Sequence, residues 1–322
     1  MTPTARSAQI NRGINDMISA TLYSDPACPW AYSESPALRV IEWRYGDQLD
    51  WRLVLVGLTE DASQYERRGY TPLRGALGQA SFRRRYGMPF SPQPKPRLSA
   101  TSRACRAVVG ARMQHPGSEW RVFRALQLAN FNSPMLLDDD AHLAEALRIV
   151  PGIDPDQVVA QIDASEVVEA YNRDRDETRT AAGSAAELQG KTRLTDGPVR
   201  FTAPSVVFER AGTRVAAGGF QPVEAYDVLV ANLDPTLHRE PPPETPAPLL
   251  ERFPDGLTTQ EVAALMTSGN DTPDRAAAEA ALLELVASGA AVRHPLGDDA
   301  VWQSAAATEA MDFASRQALA VS

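Results

Sequence analysis

Cysteine is scarce in this chain, with only Cys28 and Cys105 among 322 residues. Two cysteines cannot build a disulfide scaffold, and in a reducing compartment a cysteine that matters is reactive or liganding rather than stapling. Histidine is also thin: His115, His142, His238 and His294 are scattered, none at metal-ligand spacing with Cys, Asp or Glu, so no metal site is expected. An apolar run of about 18 residues is missing, and with it any membrane-spanning helix. So is a cationic segment followed by an apolar stretch near the N-terminus, which leaves the cytoplasm as the expected compartment. The phosphate-cradling patterns G-x-x-x-x-G-K-[ST] and G-x-G-x-x-G after a strand do not occur, so nucleotide binding has no support. Positive charge is in deficit too, 32 Lys and Arg against 41 Asp and Glu for a net −9, and a broad grip on nucleic acid is not expected.

What is present is an ordinary globular balance, 43% hydrophobic and 23% charged, in a length that suits a main domain with an appended module. Residues 1–18 are polar without a steady period and read as a loose arm. The first alternation, Ala20-Thr21-Leu22-Tyr23, predicts a strand; Leu38, Ile41, Trp43 and Tyr45 then fall at helical spacing up to Gly46. Residues 50–57 read as a buried second strand, which completes a βαβ unit with parallel pairing. From about 59 to 190 the periods are helical, with helices expected over 99–113, 119–130, 140–150, 156–162 and 165–189, broken by the proline-rich connector Met88–Pro96. Ser205–Glu209 and Thr213–Ala217 form a hairpin around Arg210-Ala211-Gly212, and a helix over 223–232 closes a first domain spanning 19–233.

The proline-rich stretch within 234–248 reads as a stiff spacer. Beyond it, Thr258 and Glu261 form a capping box at the start of a helix over 257–266. A helix over 273–288 and a strand pair, 290–294 with 300–303, follow. Helix, helix and hairpin make residues 249–322 a winged-helix-like α+β domain. Its four arginines face eleven acids, a net of −7, so a docking or dimerisation role, with a homodimer through this domain, is expected rather than DNA binding.

The chemistry centres on Cys28-Pro29-Trp30-Ala31 at the start of the first helix. A cysteine there faces unpaired backbone N–H groups and the positive end of the helix dipole, both of which favour the thiolate. Pro29 suits the first helical turn, where its missing donor costs nothing. Cys28 is therefore expected to be nucleophilic at neutral pH. Cys105, inside an insertion helix, reads as a small buried hydrophobe. The order βαβ, helical insertion, ββα, the turn from Ser24-Asp25 to Cys28-Pro29-Trp30, and Thr202-Ala203-Pro204 before the hairpin resemble the thioredoxin fold of the DsbA-like family. The nearest likeness within it is to the FrnE-like and 2-hydroxychromene-2-carboxylate isomerase-like branch, over residues 19–233.

That resemblance implies a thiol–disulfide oxidoreductase or isomerase in which Pro204 is cis beside Cys28 and the backbone of Ala203 aligns an extended substrate. Ala31 departs from the pattern, because the redox members carry a second cysteine there to resolve mixed disulfides. A natural monothiol enzyme, a member that has lost redox chemistry and an engineered replacement all remain open. Catalysis is assigned to Cys28 and Pro204, and substrate contact to Pro29, Trp30, Ala31, Tyr32 and Ala203. The expected partner is a disulfide-containing protein or a small thiol. No cofactor is bound tightly, but glutathione or mycothiol is a candidate co-substrate, held by the arginine clusters Arg67-Arg68 and Arg83-Arg84-Arg85. A glutathione-dependent isomerase and a non-catalytic partner-binding protein are the alternatives.

Overall fold

A computed structural model of the protein describes residues 17–269 and 271–311. Residues 1–16 of the expected arm and 312–322 of the expected C-terminal domain lie outside the described residues. Strand β1 (Ile18–Ser24), helix α1 (Pro29–Tyr45) and strand β2 (Leu49–Leu55) form the βαβ unit. The insertion holds α2 (Ser63–Arg67), α3 (Pro72–Tyr86), α4 (Ser102–Gln114), α5 (Glu119–Asn132), α6 (Asp140–Leu147), α7 (Pro155–Ala160), α8 (Ser165–Thr178) and α9 (Ala185–Leu188). A short pair, β3 (Thr192–Arg193) and β4 (Arg200–Phe201), leads to the hairpin β5 (Ser205–Arg210) and β6 (Thr213–Gly218), then to α10 (Val223–Leu233). The C-terminal region comprises α11 (Ala247–Arg252), β7 (Leu257–Thr258), α12 (Thr259–Leu265), α13 (Arg275–Ala287), β8 (Ala291–Leu296) and β9 (Asp299–Ser304).

The main sheet has the order β2-β1-β5-β6. Strand β1 pairs parallel with β2 and antiparallel with β5, in register Leu22 to Leu53 and Leu22 to Val206. Ile18, Ala20 and Leu22 pack with Phe208, Tyr226 and the buried faces of α4 and α5 in one large core. The β-branched and apolar run of β2 ends two residues earlier than expected, because Gly57 turns away at φ +62°. A Cβ there would lie 2.1 Å from the Tyr171 hydroxyl, so only glycine admits α8 this close.

The expected long helix over 165–189 is two. Helix α8 stops at Thr178, whose Oγ1 donates back to the Arg175 carbonyl at 2.7 Å, and α9 starts only after Gly183 in a left-handed conformation. Helices α2 and α3 were not anticipated as separate elements. Helix α3 is bounded by local chemistry: Thr71 Oγ1 accepts from Arg74 N at the front, Pro72 fills the first turn, and Gly87 ends it at φ +76°.

The proline-rich segment 234–248 lies along α1 rather than standing free. Glu240 N donates to the Arg44 carbonyl, Trp43 Nε1 to the Pro241 carbonyl and His238 N to Gln48 Oε1. The C-terminal region then packs back on the same helix: Val40 of α1 shares a core with Leu249, Leu250, Val262 and Trp302. Both halves of the Thr258–Glu261 capping box are formed, and this region packs onto α1 and α5 of its own chain.

Candidate active site

Cys28 is the N-cap of α1, with its own N–H donating to the Asp25 carbonyl at 3.1 Å and Pro29 occupying the first helical turn. The sequence builds this corner locally. Asp25 Oδ1 accepts from Ala27 N at 2.9 Å, which closes the Asp-Pro turn, and Oδ2 accepts from Leu58 N at 2.8 Å across the top of β2. The Ala203–Pro204 peptide is cis, and the Ala203 carbonyl accepts the Cys28 thiol proton at 3.0 Å. Two segments 175 residues apart in sequence thus meet at the sulfur.

The sulfur is protonated, which overturns the expectation of a helix-activated thiolate. Burial pushes the Cys28 thiol from its ordinary 9.0 up to about 12, against the N–H groups of Ala31 and Trp30, and the nearby Asp25 carboxyl raises it further. The helix terminus acts as anticipated, but it is outweighed. Cys28 is 4% exposed and sits among Tyr23, Val54, Phe201 and Val207, so ionising it would place a charge in an apolar cluster.

Cys105 lies behind this corner, fully buried, with Sγ donating to Asp25 Oδ2 at 3.5 Å; burial and the Asp25 charge hold its thiol well above the usual range. Thr101 Oγ1 donates to the same oxygen at 2.9 Å. Asp25 therefore links both cysteines, a role that nothing in its sequence context signals. Burial raises its carboxyl pKa despite these donors.

Cys28 and Ala203 open on a cleft of about 670 Å³ between α1, the insertion and the β3–β4 segment. Trp30 forms part of its wall, 42% exposed, with its ring 4.8 Å from Phe82 and 5.7 Å from Phe220. Pro29 lines it as well. Tyr32 does not: it is 1% exposed, stacked on Phe131 at 4.8 Å and held by Asn132 Nδ2 at 3.1 Å, because its face of α1 meets the insertion rather than the cleft. Ala31 is also buried, in the cluster beneath Cys28, and does not reach the cleft surface.

Charge in the cleft is of one sign. Arg68 and Arg74 come from the α2–α3 side, Lys95 from the proline-rich connector and Arg97 from the residue just after it. Lys191, Arg193 and Arg200 come from the opposite wall, and no Asp or Glu is among the lining residues. Lys95 and Lys191 are the only two lysines of the chain. Of the expected arginine clusters, Arg68 alone reaches the cleft. Arg67 turns to Ser63 Oγ, Arg83 pairs with Asp298 at 2.6 Å and Arg85 lies over the Tyr86 ring. The signal that could have found Arg200 is its place two residues before Thr202-Ala203-Pro204.

Among the described residues, no group of His, Cys, Asp and Glu could hold a metal ion, and no helix is long and apolar enough to cross a membrane. No protein-family model matches the chain, and no curated protein sequence does. Solved structures do match. One is a candidate protein disulfide isomerase from Nitrosomonas europaea, 19% identical, with TM-score 0.52, covering 67% of this chain and 97% of that one. Another is a candidate DsbA oxidoreductase from Streptomyces coelicolor, 18% identical, with TM-score 0.51, covering 68% of this chain and 91% of that one. At these identities the likeness speaks of architecture, and with the sheet order and helical insertion above it shows that the chain has the thioredoxin fold of DsbA-like proteins.

Proposed function

We propose that this protein carries out thiol–disulfide exchange in the cytoplasm through one thiol, that of Cys28, with a small thiol as co-substrate. The observation that carries this reading is that Cys28 lines the cleft at the cis Ala203–Pro204 corner, whereas Cys105 is sealed behind Asp25. In this reading Cys28 and Pro204 are the catalytic pair, the Ala203 backbone positions substrate, and Pro29 and Trp30 form the wall against which it lies. The deprotonated Cys28 sulfur attacks one sulfur of a disulfide, forming a mixed disulfide while the other half leaves as a thiolate that takes a proton from water. With Ala31 in place of a second thiol, an external thiolate then attacks the substrate-side sulfur and returns Cys28 to its reduced state.

Protonation sets the rate. The raised thiol pKa lowers the thiolate population, and the greater nucleophilicity of the more basic sulfur restores only part of that loss, so exchange is slower than for an unperturbed thiol. The test is intact mass after incubation with the neutral 2-hydroxyethyl disulfide. One adduct is expected, absent in Cys28→Ser and discharged by excess thiol, with a rate that climbs about tenfold per pH unit from pH 7 to beyond 10. Wild type without an adduct, or Cys28→Ser with the same one, overturns the reading, and a plateau near pH 8 overturns its buried, protonated sulfur.

The same protonation favours a second reading, a glutathione-dependent isomerase in which a bound small thiol is the nucleophile and Cys28 only donates to the Ala203 carbonyl. Isomerase turnover that needs added thiol and persists in Cys28→Ser would identify it.

A further inference from the structure

The chain carries a net charge of −9, yet the cleft beside Cys28 presents cations from both walls and no acid. Lys95 and Arg97 have a counter-charge in Asp138, which pairs with Arg97 at 2.8 Å. Arg68, Arg74, Lys191, Arg193 and Arg200 form no ion pair among the described residues. Arg200 is the most telling. It is 4% exposed, and its Nε and Nη1 donate to Thr195 Oγ1 and the Phe201 carbonyl, neutral acceptors at 3.2 and 2.9 Å. The nearby Asp196 is already taken by Arg175 and Arg179 at 2.9 and 2.5 Å. A guanidinium withdrawn from water without a carboxylate is costly, and the cost is relieved when an anion enters the cleft.

We infer that the cleft selects a polyanionic thiol or disulfide, one whose non-reacting part carries phosphate or several carboxylate groups and no ammonium. This rests on the thiol-exchange reading above and narrows its substrate. Oxidised glutathione fits poorly, because the ammonium on each half would meet only like charge. A neutral thiol such as mycothiol would leave the cations unused. Positive charge on opposite walls also draws anions toward the Cys28 sulfur and raises their encounter rate.

The test compares rates of Cys28 adduct formation at one pH and low ionic strength for four disulfides. They are coenzyme A disulfide (phosphates), dithiodiglycolate (carboxylates only), oxidised glutathione (carboxylates with ammonium) and cystamine (cationic). At least one of the first two should react about tenfold or more faster than oxidised glutathione, with cystamine slowest, and ionic strength near 0.5 M should erase most of the spread. Coenzyme A disulfide alone being fast assigns phosphate; both being fast assigns anionic charge in general. The double variant Arg68→Gln with Lys191→Gln, at two exposed positions, should slow the anionic disulfides and speed cystamine, opposite shifts that misfolding would not produce. Equal rates for all four, or oxidised glutathione in the lead, overturn the selectivity while leaving the single thiol intact. Failure of the neutral 2-hydroxyethyl disulfide to react instead sinks the thiol-exchange reading beneath it.

Discussion

The cleft and the contact between α1, α5 and the C-terminal region both bury arginine, and they treat it in opposite ways. In the contact, Arg124 meets Glu261 through two parallel hydrogen bonds of 2.7 and 2.8 Å, and Ser35 Oγ and Thr258 N donate to the same carboxylate. Three parts of the chain converge on one ion pair, in which both terminal nitrogens of the guanidinium are taken, by the Glu261 carboxylate and the Gly256 carbonyl, and only Nε is left without a partner among the described residues. In the cleft, Arg200 has only neutral acceptors among the described residues. A buried cation with its carboxylate is architecture; one without it marks a place where charge is to be supplied from outside.

A third arrangement completes the comparison. Glu34, also on α1, is buried with no cation beside it among the described residues and accepts from Tyr226 Oη at 2.9 Å and Gln221 N at 3.2 Å. Desolvation lifts its pKa from 4.5 to about 8, whereas Arg124 brings that of Glu261 down to about 2. Two buried carboxyls in one protein are thus separated by the presence or absence of a guanidinium.

Breaking the matched pair should have the largest effect. Glu261→Gln strands Arg124 in the interior and is expected to lower unfolding free energy by about 3–5 kcal/mol in urea titrations at pH 7. Because the folded-state pKa of Glu261 is depressed, its contribution is full above pH 4.5 and is lost as pH falls through about 2, so the deficit should shrink on acidification. An unchanged midpoint at pH 7 would remove the pair from the architecture.

Glu34 runs the other way. Its raised pKa means that the stability tied to its neutral form is complete below pH 4.5 and is lost as pH rises through about 8. Glu34→Gln should therefore flatten the decline in thermal midpoint between pH 5 and 9, an effect on the order of a few kcal/mol at most. A parallel decline in both proteins would show that Glu34 does not titrate in that range. The smallest change is expected at the unpaired cation. Arg200→Gln gives up two hydrogen bonds but leaves no carboxylate stranded, so it should cost about 1–2 kcal/mol, less than Glu261→Gln under the same conditions. A larger loss would make Arg200 architectural and dissolve the contrast.

Much of the fold was legible because its signals are local. The alternation in β1, the apolar run of β2, Pro29 in the first turn of α1, and the capping box of Thr258 with Glu261 each depend on neighbours within a few residues. Where local signals continued past a real boundary the reading overran, as at Gly57, where Tyr171 packs too closely for a side chain, and at Thr178, whose hydroxyl turns back to the Arg175 carbonyl at the end of α8. The site was legible in part. Cys28 and the cis Pro204 follow from the turn and from the resemblance of the whole element order.

Trp30 and Tyr32, two residues apart on one helix and equally aromatic, could not be told apart, because only the packing of Phe131 and Phe90 decides which ring is covered. By itself, then, the sequence determined the order of strands and helices, the helix caps, and a thiol at the head of α1, since these rest on short-range sterics and hydrogen bonding. The tertiary structure alone decided that this thiol holds its proton, that Asp25 stands between two cysteines, and that cations from opposite walls share one acid-free cleft. Desolvation and charge balance depend on residues brought together from distant parts of the chain.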